Sequence, residues 1–173
     1  MIKMGNKNTN YGNWVPAAMM KTCGVAIAVV SLLTVVCIAL QFKIPAVMLG
    51  ILLIVMILFT LYMKKCRDIF DFNKGGMMGK VHQYLVDHMK WDGDGTLLDI
   101  GCGAGALTIR CAKAYPNANL IGMDYWGAEW SYAKEQCENN AEAEGVADRI
   151  KFRKGDAGNM EFATESFDVA VSN

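Results

Sequence analysis

Three aspartates in the second half of the chain stand at the ends of short apolar segments, and residues placed in this way can form one binding site. They are Asp99, Asp124 and Asp156. If the three segments are strands of one parallel sheet, the carboxylates meet at its carboxyl edge, where α/β sheets bind their ligands. An ionised carboxylate accepts hydrogen bonds and donates none. The spacing therefore predicts a crevice suited to a ligand rich in hydrogen-bond donors.

A glycine-rich turn, residues 101–105 with the sequence GCGAG, follows the first of these segments. Glycines allow unusual backbone angles and a close approach of the backbone to a ligand. A helix is expected to begin near Ala106, and its amino terminus favours a carboxylate or phosphate. Asp124 can accept hydrogen bonds from both hydroxyls of a ribose, and Asp156 from an exocyclic amine. Together these features predict a site for a nucleoside with a charged tail.

An NAD(P)-binding oxidoreductase is the main alternative, because glycine turns also bind dinucleotides. Gly101, Gly103 and Ala106 satisfy the relaxed dinucleotide fingerprint. Asp99 opposes this interpretation, since it would set an anion near the pyrophosphate, whereas a cationic ligand would favour it. The contact of Asp156 with an adenine amine also opposes it. Each aspartate also has a purely structural interpretation. Asp99 could cap the turn, Asp124 could be a helix N-cap, and Asp156 could be an ordinary loop residue.

The elements that must position these residues can be read from hydrophobic periodicity and turn signals. The predicted helices cover 78–90, 106–114 and 128–144, and the predicted strands cover 96–100, 118–123, 149–154 and 167–172. For the first helix we expect Val81, Leu85 and Met89 on the apolar face. Alternation of strands with helices predicts a parallel α/β sheet with right-handed crossovers.

Four segments in this order resemble the motifs of class I S-adenosylmethionine-dependent methyltransferases. Residues 98–105 resemble the first motif, 122–125 the acidic ribose-binding motif, 154–157 the adenine-binding motif, and 166–173 the start of the fourth. The resemblance covers about residues 78–173 and is nearest to small-molecule enzymes of the quinone-biosynthesis type. It implies a Rossmann-like parallel sheet, S-adenosyl-L-methionine as the cofactor, and methyl transfer to a small molecule.

The resemblance also implies a role for each matching residue. The turn and the residue before it would line the methionine end of the cofactor, Asp124 would bind the ribose, Tyr125 would pack on the ribose or adenine, and Asn173 would face the methyl group. Asp156 would contact the adenine amine beside the Ala157 backbone. The complete expected cofactor site is Asp99, Gly101, Cys102, Gly103, Gly105, Asp124, Tyr125, Asp156, Ala157 and Asn173.

The chain offers no clear candidate for a catalytic base or a metal site. Cys102 is interpreted as a small filler, because methyl transfer needs no enzyme thiolate. Trp126 is interpreted as an ordinary core or surface aromatic. His82 and His88 lie six positions apart on one helix, which does not suit a shared metal, so we expect both to be solvated. The six cysteines form neither a zinc pattern nor a disulfide framework.

The first part of the chain has the composition of a membrane segment. Residues 1–67 hold seven basic residues and no acidic one, whereas all 17 acidic residues follow. Two uncharged stretches, 23–40 and 46–62, would each reach about 26 Å as helices, close to the ~30 Å hydrocarbon core. We therefore expect two transmembrane α-helices joined by a turn at 41–45. A cleaved signal peptide and a pair of buried soluble helices are the alternatives.

These patterns predict an order of segments along the chain. They are a tail over 1–22, a transmembrane hairpin over 23–63, a linker over 64–77 and a cofactor-binding domain over 78–173. Basic residues concentrate on the two outer flanks, so the positive-inside rule places both termini and the domain in the cytoplasm. Tethering favours a lipid-like acceptor dissolved in the membrane. The acidic domain argues against a nucleic-acid partner.

The predicted sheet is incomplete. Relatives are expected to have seven strands, whereas about four can be found here, so we interpret the chain as truncated at its C-terminus. The absent part would hold much of the substrate pocket. A non-catalytic membrane-tethered scaffold that keeps the fold is therefore a further alternative.

Overall fold

The computed structural model describes residues 2, 4–5, 8–72, 76–127 and 134–173. The chain forms two compact units. One comprises residues 13–70. The other combines residues 1–12 with residues 71–173, so the first dozen residues belong to the same unit as the predicted cofactor-binding domain.

Residues 13–70 form a pair of long helices. Helix α1 covers Ala17–Ala39 and α2 covers Lys43–Ile69. Helix α1 begins before the expected stretch 23–40 and ends one residue short of it, whereas α2 extends past both ends of 46–62. They pack against each other and are joined by a tight turn in which Gln41 adopts a φ of 61°. Both are long and apolar enough to cross a membrane.

The surface of this helical pair is apolar. No side chain of either helix is buried, and large residues such as Val25 and Ile44 are 66% and 76% exposed. The hydroxyls of Ser31, Thr34 and Thr60 each donate a 2.8 Å hydrogen bond to the carbonyl four residues earlier. Polar groups are thus satisfied within their own helix, as an apolar solvent requires.

The second unit is built on a parallel sheet. Strands β1 (Thr96–Ile100), β2 (Asn119–Asp124), β3 (Ile150–Lys154) and β4 (Val169–Ser172) lie in the order β3-β2-β1-β4. All three strand pairs are parallel. This confirms the predicted fold class, a Rossmann-like parallel sheet of four strands, with strand bounds shifted by at most two residues.

Three helices accompany the sheet in the described residues. They are α3 (Met77–His88), α4 (Ala106–Ala114) and α5 (Lys134–Ala143), followed by a short 3-10 turn at Ala147–Arg149. The first six residues of the helix expected at 128–144 lie outside the described residues. The core between helices and sheet contains Leu97, Ile109, Leu120 and Phe152.

The apolar face of α3 differs from the expectation. Its buried residues are Met78, Gly79, His82 and Val86, whereas Val81 is 37% exposed. The prediction was therefore wrong for Val81, whereas Leu85 and Met89 are partly buried and pack against the core. Burial of a histidine among apolar residues was not foreseen.

A segment at the N-terminus runs along α5. We call residues 8–12 the strap. Its Asn10 exchanges two backbone hydrogen bonds with the Asn140 side chain, at 2.7 and 2.9 Å. Tyr11 is 4% exposed and donates to Glu144 at 3.3 Å. The sequence had suggested only a tail here, because its polar residues show no periodicity.

Candidate functional site

The order of the strands creates a switch point at the carboxyl edge of the sheet. Strand β2 lies on one side of β1 and β4 on the other, so the connections after β1 and before β4 lead in opposite directions. Ligands of open α/β sheets bind in the crevice outside such a point. The glycine loop, residues 101–105, directly follows β1 and therefore lies here.

The glycine loop has a backbone that only glycine adopts without strain. Gly101, Gly103 and Gly105 have φ angles of 74°, 56° and 79°, in the left-handed region that side chains disfavour. Gly105 is also the residue that precedes α4, so the amino terminus of that helix opens onto the loop. Unpaired N–H groups at such an end favour an anionic group.

Asp124 ties the loop to the neighbouring strand. Its Oδ2 accepts a 2.8 Å hydrogen bond from the Gly103 N–H, and its Oδ1 accepts one of 2.9 Å from the Trp126 N–H. Each carboxylate oxygen has a second acceptor site, so Asp124 can also bind a diol. The structure thus brings together the two parts of the crevice predicted from β1 and β2.

Asp99 lies beneath the loop. It is 1% exposed, and its Oδ2 accepts a 2.5 Å hydrogen bond from the Thr108 hydroxyl. Burial raises the pKa of Asp99 to about 6, against the opposing effect of the Thr108 hydrogen bond. The Thr108 hydrogen bond holds one carboxylate oxygen in place, and the direct contact of Asp99 with a cationic ligand stays a prediction.

The thiol of Cys102 also points into the core. Its hydrogen bond with the Cys137 thiol, together with burial, holds the pKa of Cys102 far above its ordinary value. The thiol is therefore neutral near pH 7 and a weak nucleophile, as expected for a filler. The backbone of Cys102 is engaged as well, since its N–H donates to the Met123 carbonyl and its carbonyl accepts from the Gly105 N–H.

The residues expected at the adenine are exposed beside β3. The Asp156 carboxylate accepts a 2.8 Å hydrogen bond from the Gly158 N–H, and Ala157 next to it is exposed. Tyr125 is 56% exposed, with the Lys154 ammonium 5.0 Å from its ring centroid. Because β2 and β3 are neighbours, these residues border Asp124 along the same edge.

Asn173 lies on the other side of the switch point, after β4. Its side-chain nitrogen is 2.8 Å from Nε2 of His82. His82 is 4% exposed, so the expectation of a solvated His82 was wrong, whereas His88 is exposed. Burial, with a smaller effect of Arg110, lowers the pKa of His82 to about 4.

Three residues that bind the glycine loop were not predicted from the sequence. The loop carbonyls accept hydrogen bonds from Trp126 Nε1 at 2.9 Å, Cys137 Sγ at 3.1 Å and Asn140 Nδ2 at 2.9 Å. Trp126 was expected to be an ordinary aromatic, and its adjacency to the acidic motif was the only signal. Cys137 and Asn140 belong to α5, and nothing in the spacing links them to the loop.

The second half of the chain is similar to known proteins. Residues 92–173 match a family model described as a methyltransferase domain. The sterol 24-C-methyltransferase of Pneumocystis carinii is 28% identical over 107 residues, which are 62% of this chain and 27% of that protein. The sterol 24-C-methyltransferase of Aspergillus fumigatus is 32% identical over 92 residues, 53% of this chain and 23% of that protein.

Other relatives act on different molecules. A release factor glutamine methyltransferase of Chlorobaculum tepidum is 35% identical over 81 residues, 45% of this chain and 26% of that protein. The chain spans about a quarter of the length of these curated relatives. Their similarity to this chain therefore concerns a part that enzymes with different acceptors share.

Two solved structures match part of the chain. A geranyl diphosphate methyltransferase with GPP and sinefungin has a TM-score of 0.47 at 18% identity, covering 54% of this chain and 34% of that one. A methyltransferase from Geobacter sulfurreducens with S-adenosyl-L-homocysteine has a TM-score of 0.44 at 26% identity, covering 54% and 35%.

Proposed function

We propose that this chain, whose residues 92–173 belong to the class I S-adenosylmethionine-dependent methyltransferases, supplies the cofactor site of a membrane-anchored enzyme that methylates a lipid-like small molecule. The observation that carries the proposal is the 2.8 Å hydrogen bond from the Gly103 N–H to Asp124. It joins the loop that suits the methionine end to the carboxylate that suits the ribose.

The residues present fit S-adenosyl-L-methionine along the whole edge. The glycine loop and the amino terminus of α4 would hold the methionine carboxylate, Asp124 the ribose hydroxyls, and Asp156 the adenine amine beside Ala157. Tyr125, exposed next to Asp124, would cover the ribose or adenine. When bound, the cofactor supplies a methyl group activated by its sulfonium.

The contribution of this chain to the reaction would be alignment rather than acid–base chemistry. Because the thioether of the cofactor is a good leaving group, the reaction mainly requires that the acceptor is held in line with the methyl group and that water is excluded. Asp99 and Thr108, locked together under the loop, would keep the loop in its binding shape. Asn173, across the switch point, would border the methyl group.

Several observations support anchoring in a membrane. The surface of α1 and α2 is apolar, and their hydroxyls are satisfied within their own helices. A hairpin that crosses twice must return both ends to one side, and the strap and the sheet do belong to one unit. The basic flanks favour the cytoplasmic side for that unit. A membrane position favours a lipid-like acceptor, and two of the relatives are named for a sterol.

Calorimetric titration of S-adenosyl-L-methionine into the detergent-solubilised chain tests the cofactor site. Asp124→Asn should weaken binding at least tenfold, because an amide nitrogen replaces one of the two oxygens that accept from the loop and the ribose. Asp148→Asn is the matched control, since Asp148 is exposed in the 3-10 turn that precedes β3. Wild-type affinity in Asp124→Asn would contradict the proposed site. Displacement of the cofactor by NAD(P) would favour the oxidoreductase.

Glycosylation mapping tests the topology, because the chain has no Asn-X-Ser/Thr acceptor of its own. A flexible insert carrying such an acceptor would be placed after Gln41, in the turn between α1 and α2. The same insert after Gly158 is the control. In microsomes only the Gln41 insert should be glycosylated, in protein that resists carbonate extraction. Glycosylation after Gly158, or full extraction, would contradict the proposed anchoring.

Transfer of a labelled methyl group to extracted membrane lipids tests the acceptor. The label should enter the organic phase, and Asp124→Asn should abolish its transfer. A label confined to water-soluble products would contradict a lipid-like acceptor. Cofactor binding without transfer to either phase would favour the non-catalytic scaffold.

A further inference from the structure

The strap is joined to the glycine loop through one buried side chain. Asn140 is 1% exposed. Its Nδ2 donates to the Asn10 carbonyl and to the Ala104 carbonyl, each at 2.9 Å, and its Oδ1 accepts from the Asn10 N–H at 2.7 Å. One amide thus satisfies backbone groups of the strap and of the loop at the same time.

Further contacts hold the strap without touching the loop. Gln136 Nε2 donates a 2.6 Å hydrogen bond to the Asn10 carbonyl. Tyr11 is buried, and burial raises the pKa of its phenol, so the neutral hydroxyl donates to Glu144. Glu144 also pairs with Lys113 of α4. The strap is therefore held at Asn10, by two side chains of α5, and at Tyr11, by Glu144 just after α5. Among these contacts, Asn140 is the one that reaches the loop.

We infer that the strap is a positioning element of the glycine loop, with Asn140 as the joint between them. The inference rests on the proposed function, because the loop is the proposed cofactor site. Without the strap, the Asn140 amide would lose both of its Asn10 contacts and would no longer be held in the orientation that serves Ala104. A buried amide with unmet hydrogen bonds turns toward other partners or water. The loop would then sample conformations that bind the cofactor poorly.

The helical pair α1–α2 lies between the strap and the sheet along the chain. The strap precedes α1 and the sheet follows α2, so the covalent path between them runs through both helices. Within the unit, the rings of Tyr11 and Phe72 lie 5.7 Å apart, beside the points where the chain leaves and returns. Removing residues 1–70 to obtain a soluble domain would therefore also remove the element that positions the glycine loop.

Three variants of the full chain test the joint. Asn140→Ala removes it, Tyr11→Ala releases the strap without touching the loop, and Gln136→Leu removes one strap contact at a half-buried position. Asn139→Ala is the matched control, the adjacent and exposed asparagine of the same helix. The measurements are the Kd for S-adenosyl-L-methionine and the hydrogen exchange of residues 103–105 without cofactor.

Asn140→Ala and Tyr11→Ala should each raise the Kd at least fivefold and speed exchange in the loop, with a smaller effect of Gln136→Leu. The double variant that combines Asn140→Ala with Tyr11→Ala should have a Kd no higher than that of the single variant that binds less tightly. The reason is that both substitutions break the same connection between strap and loop. A lower melting temperature with unchanged Kd and unchanged loop exchange would overturn the inference. If the wild-type chain binds no cofactor, the proposed function fails, whereas loop exchange in the same variants still decides whether the joint exists.

Discussion

The indole N–H of Trp126 donates a 2.9 Å hydrogen bond to the carbonyl oxygen of Gly103. Gly103 in turn donates its own N–H to Asp124, and Asp124 accepts from the Trp126 backbone. Trp126 adopts a φ of 42°, an uncommon value for a residue other than glycine. Asp124 and Trp126, at the end of β2, thus hold the glycine loop through a closed set of hydrogen bonds.

Trp126→Phe should weaken cofactor binding. The substitution keeps an aromatic ring but removes the indole donor of the Gly103 carbonyl, which retains only the weaker thiol donor of Cys137. We expect a cost on the order of 1 kcal/mol, or about fivefold in Kd. Calorimetric titration measures the change. Trp91→Phe is the control, since Trp91 packs on Tyr115 instead and should leave the Kd unchanged. Equal affinity of both variants would show that the loop does not depend on the indole.

Gly122→Ala should destabilise the sheet unit. A Cβ at this position of β2 would lie 2.6 Å from the Phe152 ring and 3.1 Å from the Cys102 sulfur, and overpacking of this kind costs about 1–3 kcal/mol. In Gly79→Ala the new Cβ would meet only the Arg110 side chain at 3.6 Å. Because alanine favours a helix, that control should be stabilising by about 0.5–1 kcal/mol. Denaturant unfolding followed by tryptophan fluorescence measures the free energy of unfolding of both variants.

Asp99→Asn should change how stability depends on pH. The folded-state pKa of Asp99, about 6, lies above its ordinary value of 3.8, so the folded protein binds more protons than the unfolded chain between these values. The stability that this group contributes is full below pH 4 and is lost as pH rises through 6, by about 3 kcal/mol. The asparagine variant lacks this loss and keeps the opposite contribution of His82, whose pKa is lowered to about 4. Between pH 4 and 6.5 its unfolding free energy should therefore rise with pH. An unchanged pH profile would contradict the raised pKa.

His82→Gln should produce the opposite change. The folded-state pKa of His82, about 4, lies below its ordinary value of 6.5, so its contribution is full above pH 6.5 and is lost as pH falls through 4. The magnitude is again about 3 kcal/mol. In wild type the two groups partly cancel, whereas in His82→Gln only the Asp99 effect remains and stability should fall from pH 4 to 6. An unchanged pH profile in His82→Gln would contradict the lowered pKa of His82.

The strands were predictable because their signals are local. Strand β1 matches its predicted bounds, and α4 does as well, since a short apolar run bounded by glycines leaves few alternatives. The glycine loop was predicted for the same reason. The spacing of loop and Asp124 identified the crevice, because parallel strands bring their carboxyl ends together whatever their order.

The partners of the loop were not predictable in this way. The phase of α3 depended on which of two similar faces meets the core, and the buried face includes His82 rather than Val81. Asn140 and Trp126 bind loop carbonyls across 36 and 23 positions of sequence. No periodicity records such contacts, because a polar side chain on a helix has the same sequence signal whether it meets water or a carbonyl.

The sequence by itself determined the two compositions, the helical pair, the parallel strands and the acidic residues at their ends. These depend on apolar periodicity, charge distribution and backbone preference, which act between near neighbours. The tertiary structure alone decided the strand order with its switch point, the burial of Asp99 and His82, and the return of the strap to α5. Those features arise from packing and desolvation between distant segments, whose free energies exist only after the chain has folded.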